Sequence, residues 1–327
     1  MAAAPGGTRI VLVASFDEAL YHHNALRRRA LERLGCTVTT FDLQKPGLMA
    51  RLRGGSLSER LARALGQAAP DLVLVMEGVE LAAPTVAAIK RETSAVWANW
   101  IPGDARRVRA VESLAIAYDR VFVAGRDLVG PLAAPGMLPP AYLPLAADPS
   151  VHRPMRARDQ FRANVVFAGT ATPRRAELLA ELVEFGLAIW GPGWRKTPLR
   201  DYCRGELLPE RDYVRAYAGA SVAINIHRQG EDGAPDGTGV NQRTFELAAI
   251  GVPQVLDFRA DLPQLFDVGR ELYAFHTPGE LKALVQGALH DPAAADHAAA
   301  AGRRRVLAEH TYMHRMAELL GALAARR

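Results

Sequence analysis

The chain has 327 residues, 49% hydrophobic and 23% charged, an ordinary globular mix long enough for two domains. Its formal net charge of +5 comes from arginine runs scattered along the chain, which argues against a duplex-DNA footprint and fits pockets for phosphorylated ligands. No apolar run reaches membrane-spanning length, "MAAAPGGT" lacks a secretion-signal pattern, and Cys36 and Cys203 have no metal-ligand spacing, so the sequence predicts a soluble cytoplasmic protein with reduced thiols.

Short β-branched runs alternate with amphipathic stretches from the start. "RIVLVASF" (9–16) reads as a buried strand and "HNALRRRALERLG" (23–35) as a helix ended by Gly35. Strand 37–43, helix 57–69, strand 71–78, helix 83–92, strand 95–104, a helix around 108–117 and strand 120–127 follow. Fully apolar strands separated by helices predict a parallel sheet covered on both faces, a doubly wound domain.

Residues 130–154, dense in Pro and Ala, read as a linker. The rhythm then restarts with "NVVFAGTATPRRAELLAELVEFG" (164–186), strand "LAIWGPG" (187–193), and helix then strand in "YVRAYAGASVAINIHR" (213–228). "GVNQRTFELAAIGVPQVLDF" (239–258) and "ELYAFHTPGELKALVQGAL" (271–289) each add a helix and a strand, and helices at about 293–308 and 312–325 finish the chain. The pattern predicts two Rossmann-like doubly wound domains, 1–145 and 146–327, facing a central cleft, with the final helix able to pack back on the first. Ligands of such sheets bind beyond the carboxyl ends of the strands.

The first strand ends in "SFDEALYHHN" and lacks the G-x-G-x-x-G fingerprint, which disfavours a nicotinamide or flavin cofactor. Its loop offers His22 and His23, imidazoles whose ordinary pKa suits a general base. Asp104, after "NWIPG", is either the cap of the next helix or a carboxylate that takes a proton from a substrate hydroxyl. In the second half a strand runs into Gly169 and Thr170, with Pro173 suited to the first helical position. The helix amides, Arg174 and Arg175 form a candidate diphosphate site. Asn241, Arg243 and Glu246 stand at the head of an otherwise apolar helix. Glu246 can accept from two vicinal hydroxyls, as a ribose needs, while Arg243 and the amides near Thr244 can meet phosphate.

"LPERDYVRAYAGASVAINIHR" and "NQRTFELAAIGVPQV" resemble the donor-binding end of GT-B glycosyltransferases, and more narrowly the CgeB-type glycosyltransferases, over roughly residues 164–316. The resemblance implies a nucleotide-sugar-dependent glycosyltransferase of GT-B architecture, with an acceptor-binding first domain and a donor-binding second. It makes Glu246 the ribose ligand, sets Asn241 and Arg243 by the diphosphate, and brings Leu208, in "GELLPERD", near the base; His227, in "VAINIHR", joins this set. Many retaining GT-B enzymes carry a second Glu eight positions before the ribose Glu; here that position is Thr238, in a Gly/Asp/Pro stretch (230–240) that reads as a mobile flap. With no Asp-x-Asp motif, arginines and helix amides are expected in place of a divalent ion, and no cofactor is called for beyond the donor. The expected partners are a nucleotide-sugar donor and an acceptor that is a glycan, a protein or a small molecule, with no nucleic acid. A nucleotide-sugar epimerase of the same fold and a non-catalytic nucleotide-sugar-binding protein are the alternative readings.

Overall fold

Runs such as "RIVLVA" and "LVLVM" bury on both faces because every second residue has an apolar partner on either side, which only a helix-covered parallel sheet provides. They form β1 (Arg9–Ala14) and β3 (Leu72–Met76), and all five residues of β3 are buried. The structure, a computed structural model, describes residues 7–16, 23–44, 54–102, 114–206, 208–228 and 237–324. The chain divides into two compact units: Met1–Leu145 with Gln229–Gly239 and Tyr312–Arg327, and Ala146–Arg228 with Val240–Thr311.

The first unit holds β1, α1 (His23–Arg33), β2 (Thr37–Asp42), α2 (Leu57–Ala68), β3, α3 (Ala83–Arg91), β4 (Val96–Ile101), β5 (Arg120–Val123) and β6 (Ala141–Tyr142). All pairings are parallel, in the order β2-β1-β3-β4-β5-β6. Helix α2 starts at a capping box: Ser56 Oγ accepts from the Glu59 amide, and Glu59 Oε2 accepts from the Ser56 amide. The Pro-rich stretch read as a linker contains β6, and its part up to Leu145 is built into this unit while the rest belongs to the second. Leu143 is fully buried and its carbonyl accepts from the Trp100 indole at 3.0 Å. A two-residue strand flanked by Pro139, Pro140 and Pro144 shows no periodicity in the sequence. The last helix, named α9 (Tyr312–Ala324), also belongs to the first unit, where Arg27 lies over the rings of Trp100 and Tyr312 at 4.8 and 5.3 Å.

The second unit holds β7 (Ala163–Ala168), α4 (Pro173–Ala180), β8 (Leu187–Trp190), β9 (Cys203–Gly205), α5 (Glu210–Ala218), β10 (Ala220–Asn225), α6 (Gln242–Ile250), β11 (Gln254–Asp257), β12 (Tyr273–Phe275), α7 (Pro278–His290) and α8 (Pro292–Glu309). Its sheet runs β12-β11-β10-β7-β8-β9. Counted from β7, that is the 3-2-1-4-5-6 order of dinucleotide-binding domains. The order reverses between β7 and β10, and the crevice beyond their carboxyl ends is where such sheets bind ligands. Two cores flank the sheet, one around Phe167, Ile189, Trp194 and Val255, the other around Val166, Trp190, Tyr217 and Leu247.

Candidate functional site

The residues singled out in the second half of the sequence gather at this reversal. The turn after β7 is pinned from three sides: the Gly169 amide donates to Trp190 O at 2.8 Å, its carbonyl accepts from the Trp194 indole at 2.7 Å, and the Ala171 amide donates to Pro192 O at 3.0 Å. Gly191 makes this close approach possible, since its φ is +135° and a Cβ there would stand 2.2 Å from Gly169 O. Thr172 caps α4 by accepting from the Arg175 amide, and Pro173 is the first helical residue. Arg174 donates to Asp257 Oδ2 at 3.0 Å. Arg175, 5% exposed, donates to Thr170 O at 2.9 Å and to Ile226 O at 2.6 Å, so one guanidinium bolts the loop after β7 to the loop after β10. Thr170 itself is exposed at the surface of this turn.

The head of α6 explains the three polar residues that precede its apolar run. Asn241 is the N-cap: its Oδ1 accepts from the Thr244 amide at 3.1 Å, and its own amide donates to His227 Nε2 at 2.9 Å. Thr244 is fully buried, with its amide taken by the cap and its hydroxyl accepting from Asn225 Nδ2 at 3.1 Å, so both groups serve the interior of the unit. Arg243 is half-buried with its guanidinium 5.9 Å from the Phe167 ring. Glu246 is 1% exposed; Oε2 accepts from the Tyr213 hydroxyl at 2.7 Å, and Oε1 lies 3.6 Å from His152 Nε2. Gly251, at φ +78°, closes the helix in the left-handed conformation that glycine adopts without strain. Leu208 is half-buried against the core that contains Tyr213 and Tyr217.

His227 is a buried link. Since Nε2 accepts from the Asn241 amide, the neutral ring carries its proton on Nδ1, which donates to Asp257 Oδ1 at 2.7 Å. Burial lowers its pKa; Asp257 opposes that, while Arg259 and Arg243 add to it. Burial alone would raise the Asp257 pKa, but His227 and Arg174 hold the carboxyl well below its ordinary range. Burial likewise pushes the Arg175 guanidinium down to about 10, helped by the nearby cations Arg243 and Arg228. Five arginines, 174, 175, 228, 243 and 259, therefore act on the groups at one sheet reversal. Mutual repulsion among such cations is what a bound anion relieves.

The sequence alone does not single out Asn225, Asp257, Tyr213, His152, Arg228 and Arg259 as parts of this arrangement. Asn225 left a signal, an amide inside the apolar strand "VAINI". The others become visible only when strands far apart in the chain are set side by side. In the first unit, His23 is the first residue of α1 and half-buried, while His22 and Asp104 lie outside the described residues. Thr238 belongs to the first unit, where its amide and hydroxyl donate to Asp127 Oδ1 at 3.1 and 2.8 Å. Residues 237–239, read as the end of a flap, are thus tied to the turn after β5. Among the described residues no group of three His, Cys, Asp or Glu side chains is placed to hold a metal ion, and no helix is long and apolar enough to cross a membrane.

Two doubly wound parallel-sheet units, the second with a cation-rich crevice at its strand reversal, define the chain as a GT-B fold. A family model described as "Glycosyl transferase-like" matches residues 174–321. The spore protein CgeB of Bacillus subtilis (strain 168) is 23% identical over 186 residues, which cover 52% of this chain and 57% of that protein, so the match spans a little over half of its relative. Among solved structures, Alr3699/HepE from Anabaena, in complex with UDP and glucose, is 11% identical and superposes over 97% of this chain and all of that one with a TM-score of 0.67. Sucrose-phosphate synthase from Thermosynechococcus elongatus is 14% identical over 98% of this chain and all of that one, with a TM-score of 0.72. The matched residues 174–321 include Arg174, Arg175, Tyr213, His227, the whole of α6 and Asp257, while the turn after β7 and His152 precede them.

Proposed function

We propose that the protein is a glycosyltransferase that moves a sugar from a nucleoside-diphosphate sugar to an acceptor hydroxyl or amine, without a divalent metal. The second unit binds the donor and the first supplies the acceptor side. The observation that carries the reading is the joint presence, at one strand reversal, of a buried carboxylate on α6 and a cluster of arginines. A nucleoside diphosphate needs these two groups together: a carboxylate for the ribose hydroxyls and cations for the diphosphate. The same cations lower the energy of the leaving diphosphate as charge builds on it. The CgeB-like sequence and the fold shared with HepE support the same assignment.

Calorimetric titration with UDP, GDP, dTDP and CDP tests it. At least one is expected to bind, and Glu246→Ala is expected to weaken that binding by about 2–3 kcal/mol with the thermal transition retained, the cost of a lost charge-assisted pair. No binding by any of the four, or equal affinity in the variant, would overturn the assignment.

A further inference from the structure

Glu246 sits deeper than a side chain that merely lines a crevice. It is 1% exposed, and a buried carboxylate is costly unless something in the native state needs it there. The terminal torsion of a glutamate is soft, so an unrestrained carboxylate would present its oxygens to a ligand over a wide range of planes. In this site each oxygen has a protein group set against it. The Tyr213 hydroxyl donates to Oε2 at 2.7 Å, and His152 Nε2 stands 3.6 Å from Oε1. The His152 tautomer is set by its other nitrogen: the Asp148 amide donates to Nδ1 at 3.2 Å, so the neutral ring carries its proton on Nε2, on the Glu246 side.

The tyrosine is itself braced. Its ring packs edge-on against Tyr217, with centroids 5.0 Å apart and planes at 77°. The Tyr217 hydroxyl accepts from the Ala168 amide at 2.8 Å, at the last residue of β7 and next to Gly169. Glu246 is thereby registered to the strand whose end turns into the candidate diphosphate loop. Three elements, α5, α6 and β7, share one chain of contacts.

Resting on the reading that Glu246 receives the donor ribose, we infer that Tyr213 and His152 are positioning residues that set the carboxylate plane for a vicinal diol. In doing so they make the site select ribonucleoside over 2′-deoxyribonucleoside diphosphates. A carboxylate held in one plane accepts from both hydroxyls of a diol, whereas one that rotates engages a single hydroxyl almost as well as two.

Calorimetry with the ribo and 2′-deoxy diphosphates of uridine, guanosine, adenosine and cytidine tests this. The wild-type protein is expected to prefer the ribo member of its pair by roughly 10- to 100-fold, the value of one hydrogen bond to a charged group. Glu246→Gln is expected to erase most of that preference. Tyr213→Phe, which keeps the ring and its packing on Tyr217, and His152→Gln are each expected to narrow it to about threefold or less while affinity for inorganic pyrophosphate holds. A general loss of structure would move both readouts, so the pyrophosphate control separates positioning from scaffolding. Wild-type preference retained in both Tyr213→Phe and His152→Gln overturns the positioning role. A wild-type protein with no ribo preference, or Glu246→Gln with an intact one, overturns the ribose reading beneath it.

Discussion

Asn225 and Asn241 hold each other by a reciprocal pair of hydrogen bonds. Asn225 Nδ2 donates to Asn241 Oδ1 at 3.1 Å, and Asn241 Nδ2 donates to Asn225 Oδ1 at 2.8 Å. One residue ends β10 and the other caps α6, so the pair locks the start of the helix to the end of the strand. Asn225 is fully buried, and an amide left half-paired there carries the full desolvation cost.

The first prediction follows from that pair. Asn225→Leu and Asn241→Ala are each expected to destabilise the fold by about 1–3 kcal/mol, through a broken buried bond and a lost cap respectively. Because the two share one contact, the double variant should cost less than the sum of the singles by about 0.5–3 kcal/mol. Urea unfolding of all four proteins measures the cycle, and additive losses would show that the pair is not coupled.

The second concerns acid. The His227 pKa is lowered in the folded state, first by burial. A depressed histidine favours folding fully above its unfolded pKa of about 6.5, and that contribution is lost as pH falls from there toward the folded value. The geometry agrees, since a proton added to Nε2 would face the Asn241 amide. Asp257, whose pKa is also lowered, contributes stability above the ordinary carboxylate range and loses it only in strong acid, below this window. The urea midpoint should therefore decline more steeply below about pH 6.5 in the wild type than in His227→Gln. Parallel slopes in the two proteins would remove His227 as the cause.

The third concerns the metal. With arginines acting on the diphosphate site, donor binding and turnover are expected to survive EDTA. Affinity for the nucleoside diphosphate should fall with added salt, and Arg243→Ala should weaken it by about 1.5–3 kcal/mol. Activity abolished by EDTA and restored by manganese would show that a divalent ion, rather than arginine, neutralises the diphosphate.

Much of the fold was legible because the inner strands of both sheets have two buried faces, and their apolar runs are unmistakable in β1, β3, β7 and β10. The elements that escaped are β6 and β9, two and three residues long, which have too few positions to show a period. In the site, Glu246 and Asn241 stood out as polar residues at the head of an apolar helix. The amides near Thr244 read as a phosphate site because the sequence shows that they lie in the first turn, not that the Thr244 amide is taken by the Asn241 cap. The Thr244 hydroxyl also turns inward, to Asn225. Tyr213 and His152 were invisible as partners of Glu246 because they lie 33 and 94 positions from it in the chain, and only packing brings them together.

The last prediction concerns the proton acceptor. Displacement at an anomeric carbon by a hydroxyl needs a base within about 3 Å of that hydroxyl, or reached through one water. Two titratable groups of the second unit's crevice are engaged in holding it: His227 has both ring nitrogens occupied, and Asp257 is held by His227 and Arg174. The sequence offers His22, His23 and Asp104, of which His23 begins α1. A histidine has the better intrinsic pKa for the task. His22→Ala, His23→Ala and Asp104→Asn are to be compared singly, with turnover measured at saturating donor. The base should lose roughly 100-fold or more in kcat with donor affinity nearly unchanged, because its contribution is made only in the transition state. A loss of donor affinity alone would mark a binding residue instead. Near wild-type turnover in all three variants would place the base on another residue.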